Sequence, residues 1–262
     1  MQGVPKGQRL NEAGMKQQIG EIACRVARRL GVDKRVTWSS AQSFELENAI
    51  AFMKGPDFKA AVASLDDPTC LMSAGYLEPG LLREFFGGDA NAYRQFVQYI
   101  GGKAVMDIGP CVCTPLSLWD VADRRIVIEP LYDQVVDHTT RMEGVNYFKR
   151  VDRAYSYSAE RRIPELIGSI DGAIVVRNCI DHSPSWPFIL SNIAAYAAPG
   201  AYLLLWNDLL HPKEYLDGHF DITDDSSAFR TLLMQLGFDI LYEFDLPQQG
   251  LLNYGCRAVR RG

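Results

Sequence analysis

Residues 171–205 read DGAIVVRNCIDHSPSWPFILSNIAAYAAPGAYLLL, and the fold turns on this stretch. Two short apolar runs, at 172–177 and from 201 to 206, are separated by a segment compatible with a helix. A strand, a covering helix and a second strand form the unit from which parallel sheets are built.

The same grammar continues on either side. Upstream, KAVMDIG begins after Gly101-Gly102 and ends at a Gly-Pro turn, RRIVIEP follows at 124–130, and another run occupies 153–158. Downstream, two β-rich runs at 238–244 and 252–259 are joined only by DLPQQG, too little chain for a helical crossover. The last strand is therefore expected to run antiparallel to its partner. Before residue 101 the pattern is helical. Met15, Ile19, Ile22, Val26 and Leu30 recur at spacings of three and four, and further helices are expected over 41–53, from Phe58 through Leu65, over 78–86 and over 90–100.

Composition sets outer bounds. With 262 residues, 47% hydrophobic and 23% charged, the chain can build a substantial core. A formal charge of −5 with dispersed Lys and Arg gives no stripe for tracking phosphates, so nucleic acid is not an expected partner. The opening MQGVPKGQRLNEAG lacks a signal-type apolar run, and no stretch reaches the ~18 apolar residues of a membrane span, so the expectation is a cytoplasmic chain without membrane association. Six scattered cysteines are expected to be reduced.

In open parallel sheets ligands bind beyond the carboxyl ends of the strands. The first run ends Asp107-Ile108-Gly109-Pro110-Cys111-Val112-Cys113 and the second ends Ile128-Glu129-Pro130. A glycine in the first turn admits a ligand close to the backbone, and a carboxylate after the next strand can accept two ribose hydroxyls, which suggests an adenosine-containing ligand.

At these residues the chain resembles the class I, seven-stranded S-adenosylmethionine-dependent methyltransferases. VMDIGPCVC supplies the acidic residue and the first glycine of their first motif, with Cys111 and Cys113 where later glycines stand. Ser158 to Pro164 is similar to the segment that contacts adenine, Pro199-Gly200-Ala201 stands where the family usually reads Pro-Gly-Gly, and the final hairpin is similar to the reversed last strand. The resemblance covers about residues 101–262. It implies an α/β, Rossmann-like seven-stranded sheet, mostly parallel with an antiparallel last strand, preceded by a helical N-terminal extension over 1–100 that serves as lid or assembly region.

The resemblance also implies S-adenosylmethionine as cofactor, with S-adenosylhomocysteine as product, and methyl transfer to an oxygen or nitrogen of a small-molecule acceptor. Cofactor contacts are expected from Asp107, Gly109, Pro110, Cys111, Glu129, Pro130, Ala159, Glu160, Asn178 and Cys179. His182 and His211 are the expected catalytic bases. Tyr76, Trp186, Trp206, Asn207, Tyr215 and His219 are expected around the acceptor. Homo-oligomers are compatible with the N-terminal helices.

Two other activities fit parts of the pattern. A protein that binds S-adenosylmethionine without transferring its methyl group would explain the cysteines in the glycine loop. A nicotinamide oxidoreductase would share Gly109 and Glu129, but GPCVCT does not supply GxGxxG. Zinc on Cys111, Cys113, Cys179 and His182 would obstruct the cofactor, and a hard cation on Asp181, Asn207 and Asp208 would suit magnesium. The expectation is nonetheless a metal-free site.

Overall fold

The computed structural model describes residues 38–55, 78–142, 144–211, 219–246 and 251–262. The helices expected over 11–30 and from Phe58 through Leu65, together with Tyr76 and Tyr215, lie outside them.

Seven strands form one sheet: β1 (Ala104–Ile108), β2 (Arg124–Ile128), β3 (Arg153–Tyr155), β4 (Ala173–Arg177), β5 (Tyr202–Leu210), β6 (Phe238–Phe244) and β7 (Leu252–Arg260). Their spatial order is β3-β2-β1-β4-β5-β7-β6. Pairing is parallel from β3 to β5, whereas β7 runs antiparallel to both β5 and β6. This is the seven-stranded arrangement expected from the resemblance. The short loop between β6 and β7 forces the reversal, because a parallel return needs a crossover of a dozen or more residues.

Among the described residues the α-helices are α1 (Trp38–Lys54), α2 (Glu78–Phe86), α3 (Ala90–Tyr99), α4 (Tyr132–Met142), α5 (Trp186–Tyr196) and α6 (Ser226–Gln235). Asp89 caps α3 by accepting the Asn91 and Ala92 amides, and Asp225 caps α6 in the same way through Ser227 and Ala228.

Alternation along the strands feeds two cores. Met106, Ile108, Leu203 and Leu205 face α5 and α6, while Val105, Val175 and Leu204 face α2, α3 and α4. Leu81, Phe85 and Phe86 of α2 and Tyr93 and Phe96 of α3 belong to the second core, so residues 78–99 pack directly on the sheet. Ala49 and Met53 of α1 join the same cluster.

Some strands differ in length from the sequence expectation. β5 continues past Trp206 to Leu210 because β7 pairs with Asn207, Asp208 and Leu210. β3, at the sheet edge, stops at Tyr155, and β7 gains Arg260 opposite Phe238. No helix among the described residues is long and apolar enough to cross a membrane.

Candidate functional site

The sheet order reverses between β1 and β4, and a cleft opens there at the carboxyl edge. Its walls include Gly109, Pro110 and Cys111 after β1, Glu129 and Pro130 after β2, Ala159 and Glu160 after β3, and Asn178, Cys179 and His182 after β4. Counted to its open mouth, and so including solvent space, the cleft has an empty volume of about 810 Å³.

Gly109 makes the first wall possible. Its φ is +69°, and a Cβ there would lie 2.4 Å from Cys179 Cβ. Two residues later Cys111 takes φ of 53°, the left-handed conformation a glycine would adopt freely. The cysteine that departs from the glycine motif thus preserves its backbone course. The Cys111 amide donates to Glu129 Oε2 at 3.0 Å, and the Leu131 amide donates to Oε1 at 2.8 Å. Glu129 is consequently a buried clamp between two loops as well as a wall of the cleft.

The third wall is held from behind. Asn192 of α5 donates through Nδ2 to the carbonyls of Ala159 and Glu160, each at 2.9 Å, while its Oδ1 accepts from Arg162 Nε. Glu160 Oε1 accepts from the Ser183 hydroxyl, and Oε2 is buried without a hydrogen-bond partner among the described residues.

Asp107 is placed differently from the other residues expected to contact cofactor. It precedes Ile108 on β1 and so projects to the opposite face of the sheet, the face of Arg177, and it does not line the cleft itself. Burial raises its carboxyl pKa to about 7, against the opposing pull of Thr114 and Arg177. Because the folded pKa exceeds the unfolded value of 3.8, the protein binds the extra proton only when folded. Asp107 therefore favours folding at acid pH, and this contribution is lost as pH rises from about 4 through about 7. Urea midpoints of wild type and Asp107→Asn should accordingly diverge between pH 5 and pH 8, the wild type losing more. Parallel midpoints across that range would mean that Asp107 is not held in this state.

Two polar cleft residues escaped the sequence reading. Arg177 closes β4 at the cleft and pairs with Glu84 of α2 at 3.1 Å, and Ser183 lies beside His182. Arg177 stands at a strand end, the position where ligand contacts concentrate, which was the available signal.

Of the residues expected around the acceptor, Asn207 is fully buried and its amide is committed to the scaffold. It accepts from the Cys179 and Ile180 amides and donates to Asp181 Oδ1 and the Asp208 carbonyl. Trp206 packs toward the core formed with α2 and α3, and Trp186 stacks near Phe229 at 6.3 Å. Neither lines the cleft.

The histidines converge. His182 and His219 rings lie 4.4 Å apart and His211 and His219 rings 4.8 Å apart, around the fully buried Asp181. Burial would raise the Asp181 pKa, but His182, His211 and His219 outweigh it and hold the carboxyl low. For His211 burial acts downward, while the Asp181 and Asp221 carboxylates prevail and lift it to about 9. Such an imidazole is protonated at neutral pH and is a weak proton acceptor. Asp208, also buried and close to Asp181, is raised to about 6. Burial pushes Cys113 up to about 12 and Cys179 well above the usual thiol range, so both are held as thiols.

No family model matches the chain, and no curated protein matches it. Among solved structures it is similar to the cyclase SpnF, with 14% identity, coverage of 68% of this chain and 83% of that one, and a TM-score of 0.49. It is similar to an S-adenosylmethionine-dependent methyltransferase from Mesorhizobium loti, with 11% identity, coverage of 65% and 96%, and a TM-score of 0.48. A third likeness is to a methyltransferase of the same cofactor class from Aquifex aeolicus, at 15% identity, coverage of 70% and 94%, and a TM-score of 0.44. One of these proteins is a cyclase and two are methyltransferases; a shared fold does not fix the reaction.

Proposed function

We propose that the chain is an S-adenosylmethionine-dependent methyltransferase acting on an oxygen or nitrogen of a small molecule. The observation that carries this reading is the cleft at the β1/β4 reversal, in which Gly109, Glu129 and Ala159-Glu160 meet.

The residues present fit the cofactor. The missing Cβ at Gly109 leaves room for close approach, Glu129 faces the cleft where ribose hydroxyls would bind, and Glu160 Oε2 offers a spare acceptor beside the adenine position. Pro130, Ala159 and Ile189 supply apolar walls for the base, and Arg177 supplies a cation for the methionine carboxylate. When bound, S-adenosylmethionine supplies an electrophilic methyl on a sulfonium whose departing form is a neutral thioether. The protein then needs no acid for the leaving group, and its part is to align the reactants and exclude water.

His182 touches both the cleft and the histidine cluster, which makes that end the acceptor side. His211 acts there through Asp181, not as a neutral base. Acceptor selection is assigned to the helical N-terminal region and the loop after β5.

Calorimetry of the purified chain with S-adenosylmethionine and with S-adenosylhomocysteine tests the reading. Saturable binding of either, with no binding of nicotinamide dinucleotides, is expected. A folded preparation that binds neither would remove the proposal.

A further inference from the structure

Three of the chain's four histidines meet at one point of the fold, although they arise from separate places in the sequence. His182 ends the short helix after β4, His211 immediately follows β5, and His219 lies where the loop after β5 returns. That return is fastened by the Phe220 amide donating to the Asp181 carbonyl and by the Ile222 and Thr223 amides donating to the Leu209 carbonyl.

Asp181 is the centre of the cluster. Its Oδ2 lies 3.1 Å from His211 Nε2 and 3.9 Å from His219 Nε2, and its Oδ1 lies 4.0 Å from His182 Nε2. Ligand atoms of Asp181, His182 and His219 fall within 4.8 Å of one another, as do those of Asp181, Asp208 and His211. A tetrahedral ion with bonds of about 2.1 Å holds its ligand atoms about 3.4 Å apart. Spacings of up to 4.8 Å within each group would close by about 1 Å around an ion.

Unmet bonding capacity provides a second, independent sign. Asp181 Oδ2, Asp208 Oδ1 and both ring nitrogens of His211 are buried without a hydrogen-bond partner among the described residues. His211 Nε2 stands 3.1 Å from Asp181 Oδ2 and its Nδ1 3.6 Å from Asp221 Oδ1, so the ring is placed between two carboxylates, while Asp208 Oδ1 has no such neighbour among the described residues. Polar atoms are rarely left so in a protein interior. A cation accepting lone pairs from the two carboxylate oxygens and from one His211 nitrogen would satisfy these together, the other ring nitrogen keeping its proton beside Asp221.

We propose that the cluster of Asp181, His182, Asp208, His211 and His219 binds one divalent first-row transition metal ion of the zinc or iron class, the ion displacing the His211 proton as it binds. Asp181 is the ligand common to both halves of the cluster. The donors are imidazole nitrogens with carboxylate oxygens, a set that suits zinc or iron and disfavours magnesium and calcium, which take oxygen. His182 also lines the cleft, so the ion would sit at the acceptor end, where it could hold a hydroxyl. Metal binding itself does not depend on the methyltransferase reading.

The test uses the full chain freed of metal by chelation, without S-adenosylmethionine. Calorimetric titration with Zn2+ alone should show one tightly bound equivalent, and Mg2+ should bind at least tenfold more weakly. Titration with Co2+ should give visible ligand-field bands of a nitrogen and oxygen site without thiolate charge transfer. The double variant His182→Ala/His219→Ala removes two partly exposed rings and should weaken Zn2+ binding by about 100-fold or more, beyond the effect typical of losing a supporting outer residue. Absence of a stoichiometric ion, preference for Mg2+, thiolate bands with Co2+, or unchanged affinity in the folded double variant would each overturn the proposal. Should the double variant fail to fold, the wild-type Co2+ spectrum decides. Since S-adenosylmethionine binding is measured separately on metal-free protein, failure of either proposal is visible without the other.

Discussion

Gly109→Ala is expected to be among the most damaging single substitutions in the described chain. An added Cβ would stand 2.4 Å from Cys179 Cβ and 2.7 Å from its Sγ, and the residue would have to keep φ at +69°. Cys179 has no easy retreat, because its amide donates to Asn207 Oδ1 at 2.9 Å and its thiol to the Ile108 carbonyl at 3.1 Å. A non-glycine residue held at such a φ costs about 1–3 kcal/mol, and overpacking adds about 1–3 kcal/mol. Urea unfolding should therefore show a loss of about 2–6 kcal/mol. Adding Cys179→Gly removes the atoms in collision and leaves the backbone strain, so the double variant should lose less than the sum of the two single losses. A Gly109→Ala protein as stable as wild type would mean that the turn after β1 does not have this shape.

That turn shows how far the sequence could be read. Apolar runs bounded by glycine and turn residues located all seven strands, most plainly β1 and β4, which are buried on both faces. The polar end of β5 was hidden, since Asn207 and Asp208 look like loop residues until the β7 pairing and the fixed amide of Asn207 are seen. Alternation along β1 places Asp107 on the face opposite Ile108.

Long-range convergence was the part no local pattern could supply. Arg177 meets Glu84 across 93 positions of chain, and His182 meets His219 only because two loops leave adjacent strands at the same edge. Cys111 hid in another way. Its side chain obscures a glycine-like φ of 53°, because backbone conformation is shared between residue types even when its strain is not.

Glu129 carries both a structural and a binding burden, and two substitutions separate them. Glu129→Ala removes the acceptors of the Cys111 and Leu131 amides in a buried setting. Each orphaned donor costs about 1–3 kcal/mol, so stability should fall by about 2–6 kcal/mol and the glycine loop should loosen. Weak ligand binding by this variant alone would say little about the ribose. Glu129→Gln keeps one carbonyl oxygen for one of the two amides and should lose less stability. Its neutral amide cannot replace the charge-assisted bonds to ribose hydroxyls, worth about 1.5–3 kcal/mol. Calorimetry on the folded Gln variant should therefore show S-adenosylhomocysteine affinity reduced by about tenfold or more. If Glu129→Gln is less stable but binds as tightly as wild type, Glu129 serves the loops alone and the ribose must be held by another wall of the cleft.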